Sequence, residues 1–161
     1  MVSKQYFQSV FGYHFWANGQ ILKKSAQLSE QDFVEDFGVG RGSLQLTIFH
    51  MLRTEDIWFQ LMNEGQLLQP PLESSDFLTL ETIRNQWDEV EKNYLKYLDQ
   101  STESDFEEIV QVIDQNGVKT PIQRWRMLQH VLYHGAQHRA EAAMVLTHLG
   151  HSPGDLDFIF Y

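Results

Sequence analysis

The sequence contains no cysteine. That excludes disulfides, thiolate nucleophiles and cysteine-ligated zinc, and it fits a reducing compartment. Positive charge is scarce: 12 Lys and Arg stand against 22 Asp and Glu, a formal net charge of −10. A DNA- or RNA-binding surface needs clustered Lys and Arg to displace counterions from phosphates. The nearest clusters are Lys23-Lys24 and the RWR of residues 124–126, so nucleic acid and anionic membrane are not expected as partners. No run approaches the ~20 apolar residues of a membrane span. The N-terminal MVSKQYFQSVFGYHFWANGQ has no basic segment ahead of an unbroken apolar run, so no signal peptide is expected. A cytoplasmic protein is the expectation. Proline is rare as well, at four residues, two of them adjacent at Pro70-Pro71.

What is present is a chain of 161 residues with 42% hydrophobic and 13% aromatic content. That is enough to build a core without staples, and the length fits a single domain over 1–161. Helical periodicity dominates. Phe7, Val10, Phe11, His14, Ala17 and Ile21 recur at three- and four-residue steps, predicting a first helix that ends near Leu28. SEQDFVEDFGVGRGS follows with turn-formers, and Ser43 is placed to cap a second helix running to Gly65. Its inward stripe reads as Leu46, His50, Ile57 and Leu61. The QLLQPPLESSDF connection is longer than a tight helix–helix turn needs, which leaves room for a crossover. Leu80, Ile83, Trp87, Val90, Tyr94 and Leu98 mark a third helix closing around Leu98-Asp99.

Between 104 and 124 the period changes to alternation on either side of Asn116-Gly117, a hairpin signal. Trp125 opens a fourth helix with Leu128, Val131, Ala142, Leu146 and Leu149 inward, and Gly150 stops it. The tail DLDFIFY is apolar enough to pack along the helices. The expected architecture is all-α: a four-helix bundle with a small β-hairpin before the last helix.

Three of the seven histidines fall at His130, His134 and His138, each one turn above the last on a helix. Two imidazoles at i and i+4 can point at one ion, as in the HExxH zinc helix. All three cannot, because the outer pair is separated by ~12 Å of axis. A third ligand must come from elsewhere. His50 is the leading candidate, since a lone imidazole on an apolar stripe is costly without a partner. Three neutral imidazoles leave a coordination position open, the pattern of a catalytic site. Imidazole suits zinc, nickel, copper or iron, so ligand type alone does not name the ion; zinc or nickel is the expectation. Glu141 falls in the same sector one turn on, and His14 lies on the inward stripe of the first helix. The alternative is a set of hydrogen-bonded histidines holding no ion.

The residues resemble the DinB/YfiT-like metalloprotein superfamily. WRMLQHVLYHGAQHRAEA, from Trp125 to Ala142, is similar to its last-helix signature. YHFWAN at 13–18 resembles its first-helix W-A-N, and GRGSLQLTIFHMLRTEDIW at 40–58 its second-helix segment. The order is kept across almost the whole chain. The resemblance implies an up-down-down-up bundle, a divalent metal held by His50, His134 and His138, and frequent dimers. It also implies chemistry of the thiol S-transferase or hydrolase type on a small molecule, with a low-molecular-weight thiol such as bacillithiol among the substrates of relatives. His130 becomes a neighbour of the site, and His14 and Glu141 become pocket candidates. His14 is read as a fourth ligand, a proton carrier or a hydrogen-bonded core residue. Arg139 sits ~100° off the ligand face, where an interhelical salt bridge is its expected role. Departures from the family pattern are Gln137, Ala140 and Glu141. The alternative reading is a non-catalytic metal-binding or scaffold homodimer.

Overall fold

A computed structural model describes residues 3–161. Three of its four long helices begin at a side-chain cap. Helix α1 (Lys4–Ser25) is capped by Ser3, whose hydroxyl accepts from the Tyr6 N–H. Helix α3 (Leu44–Glu64) is capped by Ser43 accepting from Leu46, and α4 (Leu80–Gln100) by Thr79 accepting from Thr82. Each oxygen satisfies a backbone donor that the first turn leaves without a partner. The fourth, α6 (Arg124–His148), runs straight out of a strand, and its Arg124 N–H donates instead to Glu108 O at 3.0 Å.

Shorter elements fill the connections. Between α1 and α3 lie α2 (Glu30–Val34) and a small hairpin of β1 (Asp36–Val39) and β2 (Gly42–Ser43). Between α4 and α6 lie α5 (Glu103–Glu107) and the antiparallel pair β3 (Ile109–Ile113) and β4 (Lys119–Gln123). The register of that pair runs from Ile109 opposite Gln123 to Ile113 opposite Lys119, with Asn116-Gly117 in the turn.

Side-chain pairs give the helix directions. Lys4 Nζ donates to Asp99 O while Phe11 and Phe15 meet Tyr94, so α1 and α4 are antiparallel. Phe49 stacks on Phe77, Glu55 meets Trp87 and Phe59 meets Tyr94, so α3 and α4 run the same way. Arg124 reaches Met62 O while His50 meets His134, so α3 and α6 are antiparallel. The order is therefore up-down-down-up. Two consecutive parallel helices need an overhead crossover, and the Pro70-Pro71 connection supplies it.

The core holds Phe7, Phe11, Ile48, Leu52, Tyr94, Leu98, Leu128 and Leu146, each at 1% exposure or less. The inward positions expected for α4 from Ile83 to Leu98 are buried, and Leu80 is half-buried. The stripe expected on α3 is out of phase. Leu46 is exposed and Ile57 and Leu61 are only half-buried, whereas Leu44, Ile48, Met51, Leu52, Glu55 and Met62 face the core. Helix α3 carries apolar residues on more than one face, so hydrophobicity alone leaves its phase ambiguous. The first hairpin, read from sequence only as turn-formers, is a second correction. The tail packs through Tyr161 on Trp16 and Gly12, with the Tyr13 hydroxyl donating to Leu156 O at 2.6 Å. Ile159 and Phe160 stay exposed.

Candidate metal centre

Antiparallel packing of α3 on α6 sets His50 opposite His134 and His138. Ligand-capable atoms of these three side chains lie within 4.8 Å of one another. The Nε2 atoms of His50 and His134 are 3.0 Å apart, and the ring centroids of His134 and His138 are separated by 4.4 Å. His138 is buried and the other two are half-buried.

The hydrogen bonds around the cluster assign its protons. Glu141 Oε2 lies 2.7 Å from His138 Nδ1. A carboxylate oxygen only accepts, so Nδ1 carries the proton and the Nε2 lone pair is left free. A carboxylate on the far nitrogen is the usual way a protein fixes the tautomer of a ligating histidine. Gly40 makes room for that carboxylate: at φ +57°, a Cβ there would stand 2.7 Å from Glu141 Oε2. Arg41, on the same hairpin, donates from Nη2 to His50 Nε2 at 2.8 Å. Burial, then the charges of Arg41 and His138, hold His50 down at about 4. Burial with His138 and His50 alongside holds His134 at about 3. At neutral pH both rings are uncharged, the form in which imidazole binds a metal. Three converging imidazoles, one of them with its Nδ1 proton held on a carboxylate, fit a divalent transition ion.

The other candidates fall outside this cluster. His130 is exposed and its ring packs on Trp58 at 4.7 Å, with His134 at 5.8 Å. His14 is fully buried and belongs to a different network. Its Nδ1 lies 2.9 Å from Arg139 Nη1, and a guanidinium only donates. The proton therefore sits on Nε2, which donates to Glu55 Oε1 at 2.8 Å. Asn18 Nδ2 and Trp87 Nε1 donate to the same carboxylate, at 3.1 and 2.6 Å. Arg139 also donates to Asn18 Oδ1 at 2.8 Å. One buried network thus ties α1, α3, α4 and α6 together, with Glu55 and Arg139 balancing each other through His14 and Asn18. Arg139 does bridge helices, but by hydrogen bonds to neutral groups rather than a direct ion pair. Burial holds His14 below its ordinary value despite Glu55, so it stays neutral.

Sequence reasoning missed Glu55, Asn18 and Arg41. Glu55 was within reach: Ile48, Met51, Leu52, Glu55 and Met62 follow a helical period that puts a carboxylate among core residues. Arg41 had only its place between alternating glycines as a signal.

A four-helix bundle with a three-imidazole cluster between its second and fourth long helices defines a class of protein that can hold an ion in the bundle. The DinB family model matches residues 1–161, and the chain belongs to that family. It is similar to Protein DinB of Bacillus subtilis (strain 168), 21% identical over 159 residues that cover 94% of this chain and 91% of that protein. No helix among the described residues is long and apolar enough to cross a membrane.

Proposed function

We propose that the chain is a metal-dependent enzyme of the thiol S-transferase or hydrolase type, acting on a small molecule at a divalent ion held by His50, His134 and His138. One observation carries this reading: the three imidazoles converge without a fourth protein ligand from His14, beside a cleft of about 300 Å³ that His50 lines. A structural site would call for a closed ligand set and no cleft. When bound, a zinc or nickel ion on neutral ligands keeps its full charge, which acidifies a thiol or water that reaches it and polarises a carbonyl.

The protein's own groups do the positioning. Glu141 holds the His138 proton on Nδ1 and turns Nε2 toward the other two rings. The low proton affinity of His50 and His134 keeps their lone pairs available at neutral pH. With no cysteine in the chain, thiol chemistry uses a substrate thiol, a low-molecular-weight one. Glu141 is a positioning residue here, and His14 and His130 support the fold around the site. A single domain over 1–161, a homodimer and a cytoplasmic setting belong to the same proposal. The exposed Phe158, Ile159 and Phe160 offer apolar surface for a second copy.

The test is conjugation of a small thiol to 1-chloro-2,4-dinitrobenzene, and hydrolysis of a panel of simple esters and amides. Protein stripped with chelator is compared with protein reloaded with zinc or nickel. Turnover that returns with metal and is absent in His50→Ala supports the enzyme. Stoichiometric metal without turnover of any of these substrates supports a non-catalytic metal protein instead.

A further inference from the structure

The cleft beside the histidines concentrates positive charge in a chain whose net charge is −10. Two of its twelve basic residues, Arg41 and Arg53, line it together with His50, Leu72 and Glu73. Arg53 is fixed from the side, its Nε donating to Leu72 O at 2.8 Å. Arg41 spends a donor on His50 Nε2. That lone pair is the one an ion would take, so the hydrogen bond and the ion exclude each other. With the ion in place, a guanidinium and a divalent cation become neighbours, and their repulsion is relieved by an anion between them. Glu141 cannot serve, since it is committed to His138. Glu73 is exposed and offsets one of the two arginines, leaving the cleft one positive charge in excess.

We propose that this cleft is a subsite for a carboxylate of the substrate, gripped by Arg41 and Arg53 while the reacting atom faces the three histidines. Guanidinium donors suit the two oxygens of a carboxylate, which can accept them in parallel. The inference rests on the metal-dependent reading above and names the kind of substrate that reading leaves open. It also gives the hairpin between α1 and α3 a task, because β1 and β2 present Arg41 to the site.

The experiment titrates the full chain, chelator-stripped and zinc-loaded, with 3-mercaptopropionate and with its neutral amide. Binding is followed by isothermal titration calorimetry, which reads wild type and variants alike. The acid is expected to bind the zinc-loaded chain about ten-fold more tightly than the amide. That ratio falls to about one in an Arg41→Gln/Arg53→Gln variant with wild-type zinc content. Arg41→Gln alone, at an exposed position that leaves the Arg53–Leu72 contact intact, lowers it several-fold. Zinc bound with no acid preference, or with a preference that survives the double substitution, overturns the subsite and leaves the metal reading standing. A chain that takes up no zinc but prefers the acid through the two arginines keeps the subsite and sinks the metal reading. Binding of neither probe in either form overturns the subsite.

Discussion

Gly135 lies in the middle of α6, where alanine is ordinarily the better residue by about 1 kcal/mol. Its surroundings reverse that preference. A Cβ there would press inside van der Waals contact of His14 Cε1 and stand 3.0 Å from both His14 Nδ1 and Arg139 Nη1. The His14 ring cannot retreat, since it is fully buried and held on both sides by Glu55 and Arg139. Overpacking of this kind costs about 1–3 kcal/mol. Displacing the guanidinium from His14 adds about 1.5–3 kcal/mol for a hydrogen bond to a charged group. After the helix-propensity gain, Gly135→Ala is expected to destabilise the chain by about 2–4 kcal/mol. For a chain of this size that lowers Tm by roughly 5–15 °C. Thermal and urea unfolding measure it directly. In a His14→Ala background the ring is gone, so the same substitution costs less, and the cycle yields a coupling of at least ~1 kcal/mol. A Gly135→Ala variant as stable as the wild type would refute the tight α1–α6 approach and the network built on it.

Glu141→Ala is expected to weaken zinc affinity about 10–100-fold by freeing the His138 tautomer. Glu141→Gln keeps an acceptor oxygen and retains most of the affinity, as competitive chelator titration would show. The pH dependence follows from the depressed histidines. In the unfolded chain they titrate near the ordinary 6.5, but in the folded chain only near 4 and 3. The unfolded state therefore takes up protons first, and metal-free stability is full above about 6.5 and falls as pH drops toward 4. Denaturant melts across that range that show no decline would count against neutral, buried imidazoles.

How far the sequence reached depends on which residues carried the signal. Helix α4 was legible because its apolar residues form one narrow stripe with charge on the other faces, so the period has a single phase. The second β pair was legible through Asn116-Gly117, whose backbone preference is local. Helix α3 misled because Leu46, Ile57 and Leu61 are as apolar as the residues that point inward. Its phase was fixed by tertiary contacts with α4 and α6. His134 and His138 were readable as a pair from four-residue spacing alone. Their meeting with His50 depended on antiparallel docking of two helices, which the family resemblance implied and spacing did not. Arg41 had no such handle. Its approach to His50 depends on a hairpin with glycines at positive φ on both sides, at Gly40 and Gly42, and on where that hairpin lands. The buried Glu55–His14–Arg139 network was legible in part: His14 was placed inward and Arg139 was expected to bridge helices, but their meeting at Glu55 depends on a third helix, α3, whose phase was misread.

Metal content tests the central claim most directly. The chain should be purified without a histidine tag, stripped, reconstituted with zinc or nickel and analysed for metal beside His50→Ala and His138→Ala. The account predicts close to one divalent ion per wild-type chain and loss of that ion in both variants, with each variant still folded by circular dichroism. A wild type that takes up no ion, or a folded His50→Ala variant that keeps a full equivalent, would contradict it.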